Sequence, residues 1–470
     1  MSQTFTVSDA QRARVEIRNC RNRVTVVGWD DAQTIALDFA ARQENNTVIV
    51  ENANKVTVRV PRAITVSIAN CQADVRVDDL SGRVELADIN GDVALRNLRG
   101  ETIVRDLDGD LAAKDVASLQ GKGNWNGDVA LRDVANVQAE NVGGDLNLSD
   151  VASASIHQVE GDFVARGVKQ LNSTGALEGD AVLRGVESAN INTIEGDTSL
   201  GDVGAFSAQT LNGDLSAQNV RDALKIEQID GDVNVRDSNA TIQIEHADGD
   251  FIASNVRNAL TVEDIDGDAV VSFAEIAPLD LRADGDIVLN LPNNANAEIE
   301  LDAPRGDLVV RANVQVTAHD ESSLRGTVGA GGAKIRVESL KGDVIMRQTG
   351  SDASAPFEPE HIGVSFARLG QEIAAEVRQS VHKSLADIRL PEMRAHRHRV
   401  ELRMHRPDRH SHEHRRDHDR DREPAPVQPP AQEESPRPAA GSPERKAILD
   451  AIARGELNVD DAIKKLSGDM

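Results

Sequence analysis

The stretch that decides the fold runs from Gly213 to Asp230 and reads GDLSAQNVRDALKIEQID, and residues 231–248, GDVNVRDSNATIQIEHAD, repeat its plan. Each copy opens with a Gly-Asp dipeptide, which recurs eleven times at intervals of 17 or 18 residues. A short, nearly constant period is typical of a solenoid, in which each unit buries its apolar face against its neighbours. The glycines of the dipeptide are Gly91, Gly109, Gly127, Gly144, Gly161, Gly179, Gly196, Gly213, Gly231, Gly249, Gly267 and Gly285.

Each repeat divides into two halves of similar pattern. Apolar residues in the copy from Gly213 are Leu215, Ala217, Val220, Leu224, Ile226 and Ile229. The alternation of the first two in each half predicts a short strand with one buried face, and the third lies past a corner. Six residues after each of the first ten glycines stands a residue type that tolerates positive φ: Asn97, Asp115, Asp133, Asp150, Gly167, Gly185, Asp202, Asn219, Asp237 and Asn255. The pattern predicts a mainly β protein, a single-chain β-solenoid with two short strands per coil.

The chain is organised in five parts. An irregular β cap over residues 1–75 precedes the repeat array at 76–349. An amphipathic helix is predicted at 360–390, because apolar residues from Ile362 to Ile388 recur every three or four positions. A linker rich in His, Arg and Pro follows at 391–442, and a small helical hairpin module ends the chain at 443–470.

Two segments of the chain resemble known families. The strand that ends in Gly28-Trp29-Asp30 and the strand repeats with Gly-Asp are similar to the bacterial putative-adhesin family of β-strand repeat proteins, over about residues 5–349. That resemblance implies a non-enzymatic protein linked to the cell envelope and its stress responses. Residues 443–467 resemble the short C-terminal oligomerisation modules termed SHOCT-like, which implies binding to another copy or to a protein partner.

The hairpin carries the predicted interaction residues. Some 20 to 25 residues cannot bury enough apolar area to fold alone, so its apolar face needs a partner. The predicted contact residues are Ile448, Ile452, Val459, Ile463 and Leu466. Self-association is the simplest partner, and a different envelope-associated protein is the alternative.

The net charge and the N-terminal sequence indicate where the protein is located and which classes of partner it can bind. The net charge is −26, and residues 1–350 hold −24 of it, which argues against nucleic acid as a partner. The sequence starts without a basic and apolar signal segment, and no apolar run approaches the ~20 residues that span a bilayer. We expect a cytoplasmic protein, associated with the envelope through a partner if at all. The two cysteines, Cys20 and Cys71, are expected to be reduced.

Two groups of side chains are candidates for ion binding. Stacking places the aspartates of the dipeptides in one column, including Asp92, Asp110, Asp232 and Asp250. Carboxylates about 5 Å apart repel by about 1 kcal/mol per pair, so each is predicted to accept backbone N–H groups of its own turn, a calcium ladder being the alternative. Imidazoles in the linker are the second candidate, although a solvated tether explains them as well: His410, His412 and His414.

No catalytic motif is present in the sequence. Carboxylates recur in every coil, and only 2% of residues are aromatic, so the groove of a β-helical polysaccharide enzyme is not indicated. We therefore expect no enzyme activity and no cofactor. A polymer-forming scaffold like the bactofilins, which stack similar coils end to end, is the alternative to an adhesin-like scaffold.

Overall fold

A computed structural model describes residues 3–31 and 33–349, and all of them belong to one unit. The described residues contain 35 strands and no helix, so no helix among them could cross a bilayer. The regular part is a β-solenoid of about 12 turns, which confirms the predicted fold class.

The strands fall into three groups along the chain. The N-terminal group is β1 Gln3–Thr6, β2 Arg14–Arg18, β3 Arg21–Trp29, β4 Thr34–Leu37, β5 Arg42–Glu44, β6 Thr47–Glu51, β7 Lys55–Pro61, β8 Thr65–Asp78 and β9 Val84–Asn90. The regular group is β10 Val93–Asp108, β11 Leu111–Trp125, β12 Val129–Val142, β13 Leu146–Ser149, β14 Ser153–Val159, β15 Phe163–Arg166, β16 Gln170–Leu177, β17 Ala181–Arg184, β18 Ser188–Ile194, β19 Thr198–Gly201, β20 Ala205–Leu211, β21 Leu215–Gln218, β22 Ala223–Ile229, β23 Val233–Arg236, β24 Thr241–Ala247, β25 Phe251–Val256, β26 Leu260–Ile265, β27 Ala269–Phe273, β28 Leu279–Ala283 and β29 Ile287–Pro292. The last group is β30 Ala297–Asp302, β31 Leu308–Arg311, β32 Val314–His319, β33 Ser323–Val328, β34 Ala333–Ser339 and β35 Val344–Thr349.

Each regular coil gives one strand to each of two parallel stacks. The first stack, here the short-strand sheet, holds the strand that follows each Gly-Asp pair, and Leu215 of β21 pairs in register with Val233 of β23. The second stack, the long-strand sheet, holds the other strand of each coil, and Leu224 of β22 pairs with Ile242 of β24. In β10, β11 and β12 one continuous strand contributes to both stacks. Like residues therefore lie above one another along the whole array.

The interior is a continuous column of mostly aliphatic layers, in which Trp125, Phe163, Phe206 and Phe251 are also buried. Both Ile226 and Leu215 point inward and are essentially inaccessible to solvent, as the alternation predicts. Every predicted corner residue, from Asn97 to Asn255, has a positive φ between 51° and 61°. The choice of Asn, Asp and Gly at that position follows, because other residues adopt this backbone conformation at a cost.

At both ends the order of coils in space differs from their order in the chain. The coil of β2 and β3 lies between the coil of β6 and β7 and strand β8. At the other end, the coil of β34 and β35 lies between the coils β28–β29 and β30–β31. Antiparallel strands β4 and β5 then pair with β7 and β6, and β33 pairs with β30. The segment predicted as an irregular cap, 1–75, thus supplies coils of the solenoid together with covering strands.

Candidate functional site

The aspartates of the Gly-Asp pairs, together with Asp74 of Ala73-Asp74 at the N-terminal end, form one continuous ladder of hydrogen bonds. The backbone N–H of Asp232 donates to Oδ1 of Asp214 at 2.9 Å, and the N–H of Asp214 donates to Oδ1 of Asp197 at 2.9 Å. The same contact recurs along the stack at 2.7 to 3.4 Å. In stacking order the ladder joins Asp74, Asp92, Asp110, Asp128, Asp145, Asp162, Asp180, Asp197, Asp214, Asp232, Asp250, Asp268, Asp286, Asp343 and Asp307.

The donor differs from the predicted one. Each carboxylate was expected to accept N–H groups of its own turn, but it accepts the amide of the equivalent aspartate in the next coil. The physical reason is that the side chain reaches along the solenoid axis, where the neighbouring Gly-Asp peptide lies one layer away. An amide donor next to each carboxylate offsets part of the repulsion within the column.

The glycine of each pair is required by the close approach of successive coils. A Cβ at Gly231 would lie 2.5 Å from Oδ1 of Asp214 and 2.7 Å from the carbonyl carbon and oxygen of Gly213. Real Cβ atoms do not approach backbone so closely. The two residues of the Gly-Asp pair therefore act together. The glycine leaves space for the carboxylate of the neighbouring coil, and the aspartate provides the carboxylate that fills this space in the next coil.

The ladder carboxylates share one electrostatic environment. Burial raises the pKa of Asp110, Asp214 and Asp250, the amide from the next coil opposes the rise, and neighbouring carboxylates add to it. A general acid and a general base have environments that shift their pKa values apart. Here the pKa shifts have the same direction and the same main cause in coils that lie far apart. The chemistry of the ladder is that of a repeated structural hydrogen bond.

One cluster of side chains in residues 3–349 has the composition of a cation site. Nε2 of His246 lies 2.7 Å from Oδ1 of Asp248, and its Nδ1 lies 3.5 Å from Oδ2 of Asp264. The ligand atoms of His246, Asp248 and Asp266 all lie within 4.8 Å of one another. These side chains are partly exposed, and the contact of His246 with Asp248 accounts for their geometry. The sequence analysis did not predict this group. The feature that could have indicated it is His246, a histidine at a repeat position that is Thr210, Gln228 and Asp264 in the neighbouring coils.

The two cysteines meet at the N-terminal end of the solenoid. The amide of Cys20 donates to Sγ of Cys71 at 3.4 Å, and both side chains are buried. A hydrogen bond from Cys71 lowers the pKa of the Cys20 thiol to about 7, although burial opposes the shift. Both are free thiols in this structure, in line with the expected reduced state.

The predicted site residues divide between the ladder and the rest of the chain. The ladder turns contain Gly91, Asp92, Gly109, Asp110, Gly231, Asp232, Gly249 and Asp250. The linker histidines and the hairpin residues lie outside the described residues: His410, His412, His414, Ile448, Ile452, Val459, Ile463 and Leu466.

The comparison with protein-family models agrees with the resemblance found in the sequence. The family model described as Toastrack DUF4097 matches residues 2–347, which confirms the resemblance to the adhesin-like strand-repeat family. No curated protein matches the sequence. Among solved structures, the chain is similar to a protein titled "putative cell adhesion protein" from Clostridium sporogenes ATCC 15579. The identity is 8%, the alignment covers 74% of this chain and 99% of that chain, and the TM-score is 0.12, so no conclusion about function follows from it.

Proposed function

The chain belongs to the Toastrack family, DUF4097, and we propose that it acts as a non-enzymatic interaction scaffold. In this proposal the solenoid is a rigid body, and the C-terminal hairpin Glu444–Leu466 joins it to an assembly at the bacterial cell envelope or in a stress response. The hairpin binds a second copy in the simplest arrangement. The linker before it lets the module reach away from the solenoid and raises the effective concentration of any second contact.

The single observation that carries the scaffold role is the uninterrupted ladder. Fifteen aspartates along the stack are connected by the same amide-to-carboxylate hydrogen bond. A carboxylate that every coil uses in the same structural hydrogen bond does not form a distinct pair of the kind that glycoside hydrolysis uses. A calcium ladder would also have to compete with the amides for the same Oδ1 atoms.

An end-to-end polymer is less favoured than a discrete scaffold. Strands β4 and β5 run antiparallel along the outermost N-terminal coil, where the next subunit of a filament would have to pair. Covered edges of this kind prevent strand addition between chains. Electron microscopy distinguishes the two, since filaments of the full chain would support the polymer.

The experiment is the solution mass and the captured partners of the full chain and of a variant with Ile452→Asp and Ile463→Asp. Charges on the apolar face should lower the mass or abolish the capture, because the face can no longer be buried. The matched control carries Arg454→Asp and Lys464→Asp, which add two acidic residues to polar positions of the same hairpin. If the apolar variant has the mass and the partners of the wild type, the hairpin is not the contact.

A further inference from the structure

The outward face of the short-strand sheet differs from an ordinary solvated face. Side chains alternate along a strand, so Phe163 and Ala165 of β15 point inward and Val164 points outward. Val164 is nevertheless only 1% exposed, and Val182, its register partner in β17, is 3% exposed. Both faces of the sheet are therefore buried at these strands.

The same outward position is apolar in successive coils near the end of the solenoid. We name this position the outer column; it passes through Val164 and Val182 and continues in register to β31. The outward positions of the long-strand sheet are polar by comparison, with Lys225, Gln243 and Asp280 exposed. Five consecutive apolar members of the outer column are Ile252, Val270, Val288, Ile345 and Val309.

Two polar atoms on this outward face are shielded from solvent and lack a partner. Oδ1 of Asn147, in the outer column at β13, accepts no hydrogen bond, and Nε of Arg347, two residues after Ile345 in β35, donates none. Burial and the nearby Arg311 lower the pKa of Arg347. Buried polar groups are nearly always paired, so each of these atoms marks a place where a partner belongs.

The charges beside the outer column form two opposed rows. The aspartate ladder runs along one side, two residues before each column member. Along the other side, two residues after it, arginine stands at five of the eleven positions and a neutral residue at each of the others; the arginines are Arg166, Arg184, Arg236, Arg347 and Arg311. A partner that fits here needs an apolar centre with basic groups on one flank and acidic groups on the other.

A segment of the same chain has such an apolar centre with charged flanks. Apolar residues from Ile362 to Leu385 recur at helical spacing, and at 100° per residue Glu372, Glu376 and Lys383 fall on one flank of the stripe and Arg378 with His382 on the other. A helix of that length spans about 36 Å, at about 1.5 Å per residue. From Ile345 to Val164 the outer column crosses coils that together span about 38 Å, at about 4.8 Å each. The two lengths match. The members of the outer column within that span are apolar except for Ser199, Ser216 and Asn234.

The place where the solenoid ends supports an intramolecular contact. The last described residue, Thr349, closes β35, and β35 belongs to the short-strand sheet and contains Ile345 of the outer column. The segment thus begins within a short connection of the face that it matches, and this connection raises its effective concentration there. We propose that residues 362–385 dock on the outer column of their own chain as an amphipathic helix, a contact separate from the hairpin's proposed role.

Hydrogen exchange measured by mass spectrometry on the full chain tests this contact. Amides of 362–385 should exchange at least about tenfold more slowly in the wild type than in a variant with Val182→Asp and Val270→Asp, because protection requires the docked helix. The matched control carries Gln243→Asp and Thr261→Asp on the long-strand sheet and should exchange like the wild type. A variant with Phe366→Asp and Val377→Asp should lose the protection while the melting temperature of the solenoid stays within a few degrees.

Three results would overturn the proposal. The first is exchange of 362–385 in the wild type at the rate of an unstructured peptide. The second is full protection retained in the variant of Val182 and Val270 while its solenoid melts normally. The third is protection that disappears on hundredfold dilution, which would identify a second copy as the occupant.

Discussion

Replacing Asp214 by Asn and by Ala separates the two roles of a ladder carboxylate. Both substitutions remove one negative charge from between Asp197 and Asp232, and each removed repulsion is about 1 kcal/mol in a water-like dielectric. Only the Asn variant keeps an oxygen that the amide of Asp232 can reach, at the 2.9 Å now seen for Oδ1. The Ala variant leaves that half-buried amide without an acceptor, which costs about 1–3 kcal/mol.

We therefore expect the Asp214→Asn variant to be at least as stable as the wild type. The free energy of unfolding of the Asp214→Ala variant should be lower than that of the Asn variant by about 1–3 kcal/mol. Thermal and urea unfolding of the full chain, followed by circular dichroism, give the difference, and hydrogen exchange at the Asp232 amide locates it. The control is the same pair of substitutions at the exposed Asp280, where Asn and Ala should agree within about 0.5 kcal/mol. If the Ala and Asn variants at position 214 unfold together, the ladder hydrogen bond does not stabilise the array and the reasoning is refuted.

Four further outcomes are expected. Ile226→Asp should destabilise the solenoid by several kcal/mol, because it buries a carboxylate between aliphatic layers; an unchanged melting temperature would contradict the inward assignment. Gly231→Ala should cost about 1–3 kcal/mol in urea unfolding, since its Cβ would meet the backbone of Gly213, and equal stability would contradict the close approach. Melting curves with calcium and with a chelator should coincide, whereas a rise of many degrees with calcium would favour an ion ladder. The pKa of Asp110, Asp214 and Asp250 is raised in the folded state, so the folded state holds their protons more tightly than the unfolded chain does. Their protonation therefore stabilises the fold. This stabilisation is complete below the ordinary aspartate pKa near 4 and is lost as the pH rises through the raised pKa values of the folded state. Wild-type melting temperature should therefore rise as pH falls from 7 toward that range, and Asp214→Asn should reduce the rise.

The regular part of the fold could be predicted because its determinants are local. The alternation around Leu215 and Ile226 sets which side chains face inward, and the residue type at Asn219 sets a corner with positive φ. Each coil pairs with its neighbour in sequence, so knowledge of one repeat extends to the next. The stacking of the dipeptide aspartates followed from the period alone.

The ends of the solenoid could not be predicted in the same way. Nothing in residues 333–349 indicates that β34 and β35 enter the stack before β30 and β31, because that order depends on competition between distant edges. The ladder shows the consequence, since Asp343 follows Asp286 and precedes Asp307. A local pattern also cannot say whether a carboxylate bonds within its turn or across coils, since both donors lie within reach of its side chain.

The use of the carboxylates determines where recognition can occur. A ladder in which each aspartate binds the next coil holds the array at a fixed spacing, but it leaves this surface alike from coil to coil. Specific binding needs a position that differs from its neighbours. The outer column is such a place, because it is polar at Ser199 and Ser216 and apolar from Ile252 to Val309. We therefore expect the solenoid to be specific along this column and at its ends, and the ladder to supply rigidity, spacing and a uniform acidic flank.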